Sequence, residues 1–272
     1  LVRQRTHHEE HIDAILAHMD HHIHQLGMMC GMDLGSQLDA GVITDELRSA
    51  GRAKELQQMK DFDVYEAVYR STLPKGTKVI NTRWVETLKS STEARCRFVA
   101  KDIAYYRRDD VYAATPSNLA KRLIECFAAK LHYPTIVADV SVAFLHAPSG
   151  AEIIHVEPPD KFFWEIDEPI GSMVWLLLKQ LYGCRGAPRA WQEHLVTILL
   201  ELDFIRLKTN PTMFYSAARC VLLDVHVDDF HATGPAEQLQ IVFDKLKETL
   251  LIKVSPVYHV GSTYEYLRAT RV

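Results

Sequence analysis

The chain has 272 residues, a formal net charge of −4 and 47% hydrophobic residues, a composition that predicts one large or two small globular domains. It contains neither the ~20 apolar residues in a row that a membrane helix needs nor a basic-then-apolar start, so we expect an intracellular protein (cytoplasm or nucleus) that is not secreted and has no membrane partner. Its five scattered cysteines form no CxxC pair, which argues against a disulfide or zinc–thiolate framework.

Residues 1–51 differ from the rest and are interpreted as a histidine-rich lead-in that is helical or disordered. Seven of the 14 histidines lie within the first 24 residues. In a helix, His7 and His11 would share a face, as would His18 and His22, and such pairs can bind zinc or nickel. No cysteine or carboxylate pattern completes a four-ligand set, so the sequence favours a polar lead-in without a metal.

Residues 52–272 have the apolar periodicities of a globular α+β domain. We expect an antiparallel sheet with helices packed on one face. The predicted elements, in chain order, are a helix at 52–61, strands at 78–88 and 94–104 joined by a turn at 90–93, a helix at 117–132, strands at 135–142, 152–157 and 173–179, a helix at 188–202, a strand–turn–strand unit at 220–233 and a helix at 235–250.

The first predicted hairpin carries a local excess of positive charge. Nine Lys or Arg fall between Lys75 and Arg108, opposed by Glu86, Glu93 and Asp102. Such a cluster can bind a polyphosphate or a nucleic-acid backbone. It is also what a solvated basic hairpin looks like, and composition alone favours that second interpretation.

Three acids are the candidates for chemistry. Asp228 and Asp229 lie between two apolar strands, and Asp139 follows the apolar residues 136–138. On neighbouring strands, three carboxylates can hold two magnesium ions about 3.5–4 Å apart, as in-line nucleotidyl transfer requires. An Asp pair at a turn is more often a turn former, and Asp139 could instead cap a helix or pair with an arginine. Sequence spacing does not decide whether the three meet.

The order of several blocks adds a resemblance. Residues 52–272 resemble the reverse transcriptase domain of copia-type retrotransposon polyproteins, in seven blocks that occur in the family's order. These blocks are 83–85 (RWV), 95–101 (RCRFVAK), 109–116 (DDVYAATP), 139–145 (DVSVAFL), 181–191 (LYGCRGAPRAW), 226–229 (HVDD) and 264–267 (YEYL).

The resemblance implies a right-hand polymerase fold with a palm sheet and a β-hairpin fingers subdomain, without the thumb. It implies an RNA-directed DNA polymerase that adds dNTPs to a primer 3′-hydroxyl on an RNA or DNA template by two-metal catalysis, with Mg²⁺ or Mn²⁺ as cofactor. Thumb and ribonuclease H parts are expected downstream in the full polyprotein, and integrase and protease parts upstream.

Site roles also follow from the resemblance. Asp139, Asp228 and Asp229 would be the catalytic metal ligands. Arg97 and Lys101 would bind the triphosphate of the incoming nucleotide, and Phe144 would be the steric gate that excludes a 2′-hydroxyl. The alternative interpretation gives these residues no role in catalysis. Arg97 and Lys101 would then lie on a solvated face of the hairpin, and Phe144 would pack in the hydrophobic core.

Three departures from the family pattern keep other functions open. His226 stands where the family has Tyr, Gly186 where it has Gln and Asp102 where it has Gly. Gly186 and the missing thumb favour, as an alternative, a catalytically impaired retrotransposon remnant that binds nucleic acid without polymerising. A third candidate, a metal-dependent nuclease or phosphoesterase, would need a His or acid dedicated to activating water, and no ordered motif provides one.

Overall fold

The computed structural model describes residues 43–102, 113–114, 118–259, 261–267 and 269–271. The predicted histidine pairs of the lead-in and most of the block at 109–116 lie outside these residues. The elements are α1 (Asp45–Asp61), β1 (Tyr65–Tyr69), a 3₁₀ turn (Arg70–Thr72), β2 (Val79–Ile80), β3 (Thr82–Ser90), β4 (Glu93–Ala100), α2 (Asn118–Leu131), β5 (Thr135–Val140), α3 (Ala143–His146), β6 (His155–Val156), α4 (Asp160–Ile166), β7 (Met173–Leu177), α5 (Ala187–Glu201), β8 (Ile205–Arg206), β9 (Met213–Ser216), β10 (Val221–His226), β11 (Asp229–Thr233), α6 (Ala236–Thr249), β12 (Ile252–Val254), β13 (Tyr264–Tyr266) and β14 (Ala269–Arg271).

Helix α1 begins seven residues before the predicted start at 52. Thr44 caps it, because its hydroxyl accepts a hydrogen bond from the backbone N–H of Leu47 at 3.3 Å, and Ser/Thr caps satisfy an otherwise unpaired amide. Gly51, Glu55 and Met59 form its buried stripe at four-residue spacing, the helical period. The helix therefore crosses residue 52, and the division into 1–51 and 52–272 stays a prediction.

Strands β3 and β4 form the predicted hairpin as a separate two-stranded sheet. Alternation along β4 buries Ala94, Cys96, Phe98 and Ala100. Ala94 and Cys96 lie against α1, and a Cβ on Gly51 would lie 2.7 Å from the Cys96 sulfur. The close approach of helix and hairpin therefore depends on glycine at that position.

A small mixed sheet, in the order β1-β7-β6-β2, lies beside the hairpin. Its strands β2 and β6 run parallel, while β6–β7 and β7–β1 are antiparallel. Trp175 of β7 is 1% exposed and stacks on Tyr65 of β1 at 3.7 Å between ring centroids. One hydrophobic core joins this sheet to α1 and to β4 through Met59 and Phe98.

The main sheet is antiparallel and has six strands in the order β12-β5-β11-β10-β9-β8. Helices α5 and α6 cover one face, where Ile136, Leu223 and Phe230 pack with Trp191 and Phe243. The alternate residues of the strands point to the other face.

The prediction that the helices pack on one face is wrong for α2. Ala120 and Ile124 of α2 pack against Met213 and Leu222, whose side chains lie on the face opposite α5 and α6. Strand β10 has apolar residues on both faces of the sheet. Both faces must therefore be covered by helices to keep these side chains from water.

Among the described residues, no helix combines the length and apolar character needed to cross a membrane. The thiols of Cys96, Cys126, Cys184 and Cys220 are free.

Candidate active site

The sheet brings the three candidate acids together through its register. Asp139, the fifth residue of β5, lies directly opposite Asp229, the first residue of β11. The backbone N–H of Val140 donates to the carbonyl of Asp228 at 2.8 Å. Directly opposed residues project to the same face, with Cβ atoms about 4.5–5.5 Å apart. Two acids distant in the chain are thus neighbours across one strand pair.

The turn that carries Asp228 is tight and anchored. Val227 and Asp228 alone connect β10 to β11, and Val227 has φ 56°, a left-handed conformation that is unfavourable for a β-branched residue. Its carbonyl accepts a hydrogen bond from the indole N–H of Trp191 on α5 at 2.6 Å. The buried tryptophan therefore fixes the position of the turn against the core.

A second strained residue follows Asp139. Val142 is 4% exposed and has φ 52° where the chain leaves β5 for the short helix α3. This reversal turns Phe144 onto Tyr182, with ring centroids 5.3 Å apart. Phe144, the predicted steric gate, is half-buried and packs against both hydrophobic cores. Backbone strain of this kind concentrates at functional sites.

The acids interact electrostatically. Burial, followed by the charges of Asp228 and Asp139, raises the pKa of Asp229 to about 6. Burial also raises the pKa of Asp228, with the charge of Asp139 adding to the rise and those of Arg95 and Arg97 opposing it. Desolvated like charges favour a shared cation or a bound proton.

By donor type, these residues fit a hard divalent cation, because magnesium prefers carboxylate oxygens. Among the described residues, however, no three His, Cys, Asp or Glu side chains already have their donor atoms gathered as a metal site. The backbone register places Asp139 opposite Asp229.

A cavity of about 270 Å³ opens beside the acids. Asp139 and Asp228 line it together with Arg97, which the sequence analysis selected for triphosphate binding. Four more cations line it that were not selected from the sequence, Lys54, Lys89, Arg95 and Lys253. Lys253 lies opposite Asp139 on β12. Arg95 could have been chosen from the basic hairpin, but the sequence around Lys253 gave no signal.

Lys101 does not lie in this cavity. It lines a different one of about 650 Å³, with Arg52, Trp84 and Trp164. Strict alternation would put Lys101 on the same side of the hairpin as Arg97, but β4 ends at Ala100 and the backbone N–H of Lys101 donates to the carbonyl of Asn81 at 2.7 Å. The structure therefore separates the two residues that were expected to bind one triphosphate.

Two further residues shape the cavity beside Arg97. The Glu55 carboxylate accepts a hydrogen bond from Arg97 Nη1 at 2.7 Å, and the Arg97 guanidinium carbon lies 5.1 Å from the centre of the Tyr182 ring. Neither was selected from the sequence. Both could have been found from the sequence. Tyr182 lies in the block 181–191, and Glu55 is a charged residue on the buried stripe of α1, where apolar residues are expected.

The family departures have defined positions. His226 lies opposite Asp229 at the end of β10. Burial, and then the charge of Lys121, lowers the pKa of His226. Its Nδ1 is buried without a partner in the described part of the chain. Gly186 precedes α5, where the nearest atom to an added Cβ, Glu152 Oε2, is 3.8 Å away. A larger side chain therefore fits at residue 186.

Comparison with known families and proteins agrees with the family resemblance. Residues 62–267 match the family described as "Reverse transcriptase (RNA-dependent DNA polymerase)". The Pol polyprotein of transposon RE2 from Arabidopsis thaliana is 29% identical over 193 residues, which are 66% of this chain and 13% of that protein. That of transposon TNT 1-94 from Nicotiana tabacum is 26% identical over 194 residues, 66% of this chain and 14% of that protein.

The chain therefore spans only about a seventh of the length of these relatives. Among solved structures, a foamy viral protease–reverse transcriptase in complex with double-stranded DNA is 13% identical, with a TM-score of 0.43, over 85% of this chain and 34% of that chain.

Proposed function

The chain belongs to the reverse transcriptase (RNA-dependent DNA polymerase) family, as the ordered blocks predicted, and from this membership we propose that it forms the fingers and palm of an RNA-directed DNA polymerase from a copia-type retrotransposon polyprotein. The six-stranded sheet would be the palm, and the hairpin β3–β4 with α1 the fingers. The observation that carries the proposal is the direct pairing of Asp139 with Asp229, one residue after Asp228.

Asp139, Asp228 and Asp229 hold magnesium in this proposal. Magnesium held there would supply the positive charge that lowers the pKa of a primer 3′-hydroxyl and that offsets the charge of a pyrophosphate leaving group. The raised pKa values of Asp228 and Asp229 support this role, since the carboxylates are desolvated and repel one another. The hydrogen bond from the Trp191 indole to the Val227 carbonyl anchors the turn that carries Asp228, which supports a fixed position for this acid.

Arg97 binds the triphosphate, because its guanidinium lines the same cavity as Asp139 and Asp228 and its forked donors suit phosphate oxygens. Arg95 and Lys253 add positive charge there. Lys101, in the other cavity, is not needed for this contact, and its role in nucleotide binding stays a prediction. Phe144 is not among the residues that line this cavity, but its ring contacts that of Tyr182, which does line it. On this support the steric-gate role of Phe144, with a preference for dNTPs, is part of the proposal.

A primer-extension assay with an RNA or DNA template, Mg²⁺ and dNTPs tests the proposal. Wild type should extend the primer, and Asp228→Asn should reduce extension by at least about a hundredfold while primer–template binding remains. Asp61→Asn, at the exposed end of α1, is the matched control and should extend normally. Equal extension by wild type and Asp228→Asn would contradict the metal-binding role.

The same assay separates the other candidates. His226 and Gly186, where the family has Tyr and Gln, favour a remnant that has lost catalysis. Primer–template binding without extension by wild type would assign the chain to that class. Degradation of the labelled strand would instead identify a metal-dependent nuclease.

A further inference from the structure

Glu55 is a carboxylate buried on the cavity side of α1. Its side chain is 1% exposed. One oxygen accepts a hydrogen bond from Arg97 Nη1 at 2.7 Å, and the other accepts one from the backbone N–H of Phe98 at 3.3 Å. Burial raises its pKa, and the charge of Arg97 opposes the rise. An acid is buried at such a position only when its charge is matched locally.

Arg97 is thereby held from two sides. Glu55 fixes one end of the guanidinium, and the ring of Tyr182 lies under it. Tyr182 is itself fixed, because its carbonyl accepts a hydrogen bond from the backbone N–H of Ala100 at 2.7 Å. In the described part of the chain, the Arg97 side chain donates one hydrogen bond, and Glu55 accepts it. A guanidinium has five N–H donors, so most remain for a ligand in the cavity.

We propose that Glu55 is a positioning residue that orients Arg97 toward the cavity shared with Asp139 and Asp228. The inference rests on the proposed function, since it takes the ligand of Arg97 to be the triphosphate of a dNTP. An arginine side chain has several rotatable bonds, and ordering it on binding costs free energy that a fixed guanidinium has already lost. Glu55 therefore acts on nucleotide affinity through Arg97 without touching the nucleotide.

Docking of α1 on the hairpin has a separate support. Glu86 on β3 accepts hydrogen bonds from Arg48 Nε at 2.9 Å and from Arg52 Nε at 2.6 Å. These ion pairs join α1 to the β3–β4 hairpin. Arg48, Arg52 and Glu86 are not among the residues that line the cavity beside Asp139 and Asp228. Glu86→Ala is therefore the matched control, because it weakens helix–hairpin docking and leaves Arg97 in place.

The experiment compares the full chain with Glu55→Ala, Glu55→Gln and Glu86→Ala in primer extension at varied dNTP concentration. Glu55→Ala should raise KM for dNTP by about tenfold, the loss expected for one charge-assisted hydrogen bond, with kcat changed less. Glu55→Gln keeps an acceptor for Arg97 and should recover most of the affinity. Glu86→Ala should leave KM unchanged, even if its melting temperature falls.

A binding measurement independent of chemistry uses a dideoxy-terminated primer on its template, and records how much next-complementary dNTP is needed to retain the complex. Glu55→Ala should need about tenfold more than wild type. In the Arg97→Ala background, the same substitution should add no further loss, because it acts through Arg97. Additive losses, or equal KM shifts in Glu55→Ala and Glu86→Ala, would overturn the inference.

The failure of the two proposals would look different. A wild-type chain that neither extends the primer nor retains dNTP overturns the polymerase assignment, and this inference with it. A wild-type chain that does both, with Glu55→Ala indistinguishable from it, overturns the positioning role alone.

Discussion

Asp224 is a carboxyl buried under helix α2 on the same sheet face as Asp229. It is 0% exposed. One oxygen accepts a hydrogen bond from the Thr212 hydroxyl at 2.8 Å, and the other has no partner in the described part of the chain. Burial raises its pKa to about 6, with the Thr212 hydrogen bond opposing the rise. At neutral pH the folded chain therefore holds a poorly satisfied negative charge.

Asp224→Asn should stabilise the fold at pH 7.5, by up to about 3 kcal/mol for a pKa raised by about two units. Between the unfolded pKa near 4 and the folded value near 6, the folded chain binds a proton that the unfolded chain has released. Wild-type stability therefore falls as the pH rises through this window. Urea unfolding from pH 4 to 8 measures the effect, and the variant should lose its advantage near pH 4. An advantage of equal size at both ends of the range would contradict the burial argument.

At the scale of elements, the contact between β4 and the loop before α5 depends on Gly183. Its φ is +83°, and an added Cβ would lie 2.1 Å from the carbonyl oxygen of Ala100. The backbone N–H of Ala100 also donates to the carbonyl of Tyr182. Only glycine permits both this conformation and this approach. The loop in turn carries Tyr182 beneath Arg97.

Gly183→Ala should lower the free energy of unfolding by about 2 kcal/mol or more, because both the backbone conformation and the approach to Ala100 become unfavourable. Gly186→Ala, three residues on, is the control, since φ is −78° there and no atom lies within 3.4 Å of an added Cβ. Thermal unfolding measures both variants. A similar melting temperature for the two would show that the loop adjusts without cost.

At the scale of the whole molecule, the two large hydrophobic cores meet at Phe144. One core lies between the six-stranded sheet and helices α5 and α6, and the other joins α1, the hairpin and the small sheet. Phe144 packs against both cores and lies four residues after Val140, the last residue of β5. The proposed steric gate is thus also a link between the two halves of the fold.

Phe144→Ala should therefore have two effects. It should lower the free energy of unfolding by about 2–4 kcal/mol, as deletion of a packed phenyl ring does, and it should raise the use of rNTPs relative to dNTPs. Phe162→Ala removes a ring that is half-buried against one core and is not among the residues that line the cavity beside Asp139 and Asp228. This control should lose stability without a change in the ratio of rNTP to dNTP incorporation. An unchanged ratio in Phe144→Ala would remove the gate role and leave only packing.

Much of the fold follows from local patterns in the sequence. The apolar stripe of α6 and the turn at Val227–Asp228 lie within a residue or two of their predicted bounds. Helical and strand periodicities are fixed by neighbours a few residues apart, so they are visible in one sequence. The ordered blocks were enough to identify the family, and they named all three acids.

Tertiary structure alone decided how these pieces meet. The pairing of Asp139 with Asp229, the position of α2 on the second sheet face, the separation of Lys101 from Arg97, and the contact of Glu55 with Arg97 all join residues distant in the chain. Strand register and side-chain burial arise from packing over the whole sheet, which local propensity does not encode. The sequence by itself determined which residues are candidates, and packing decided which of them share a site.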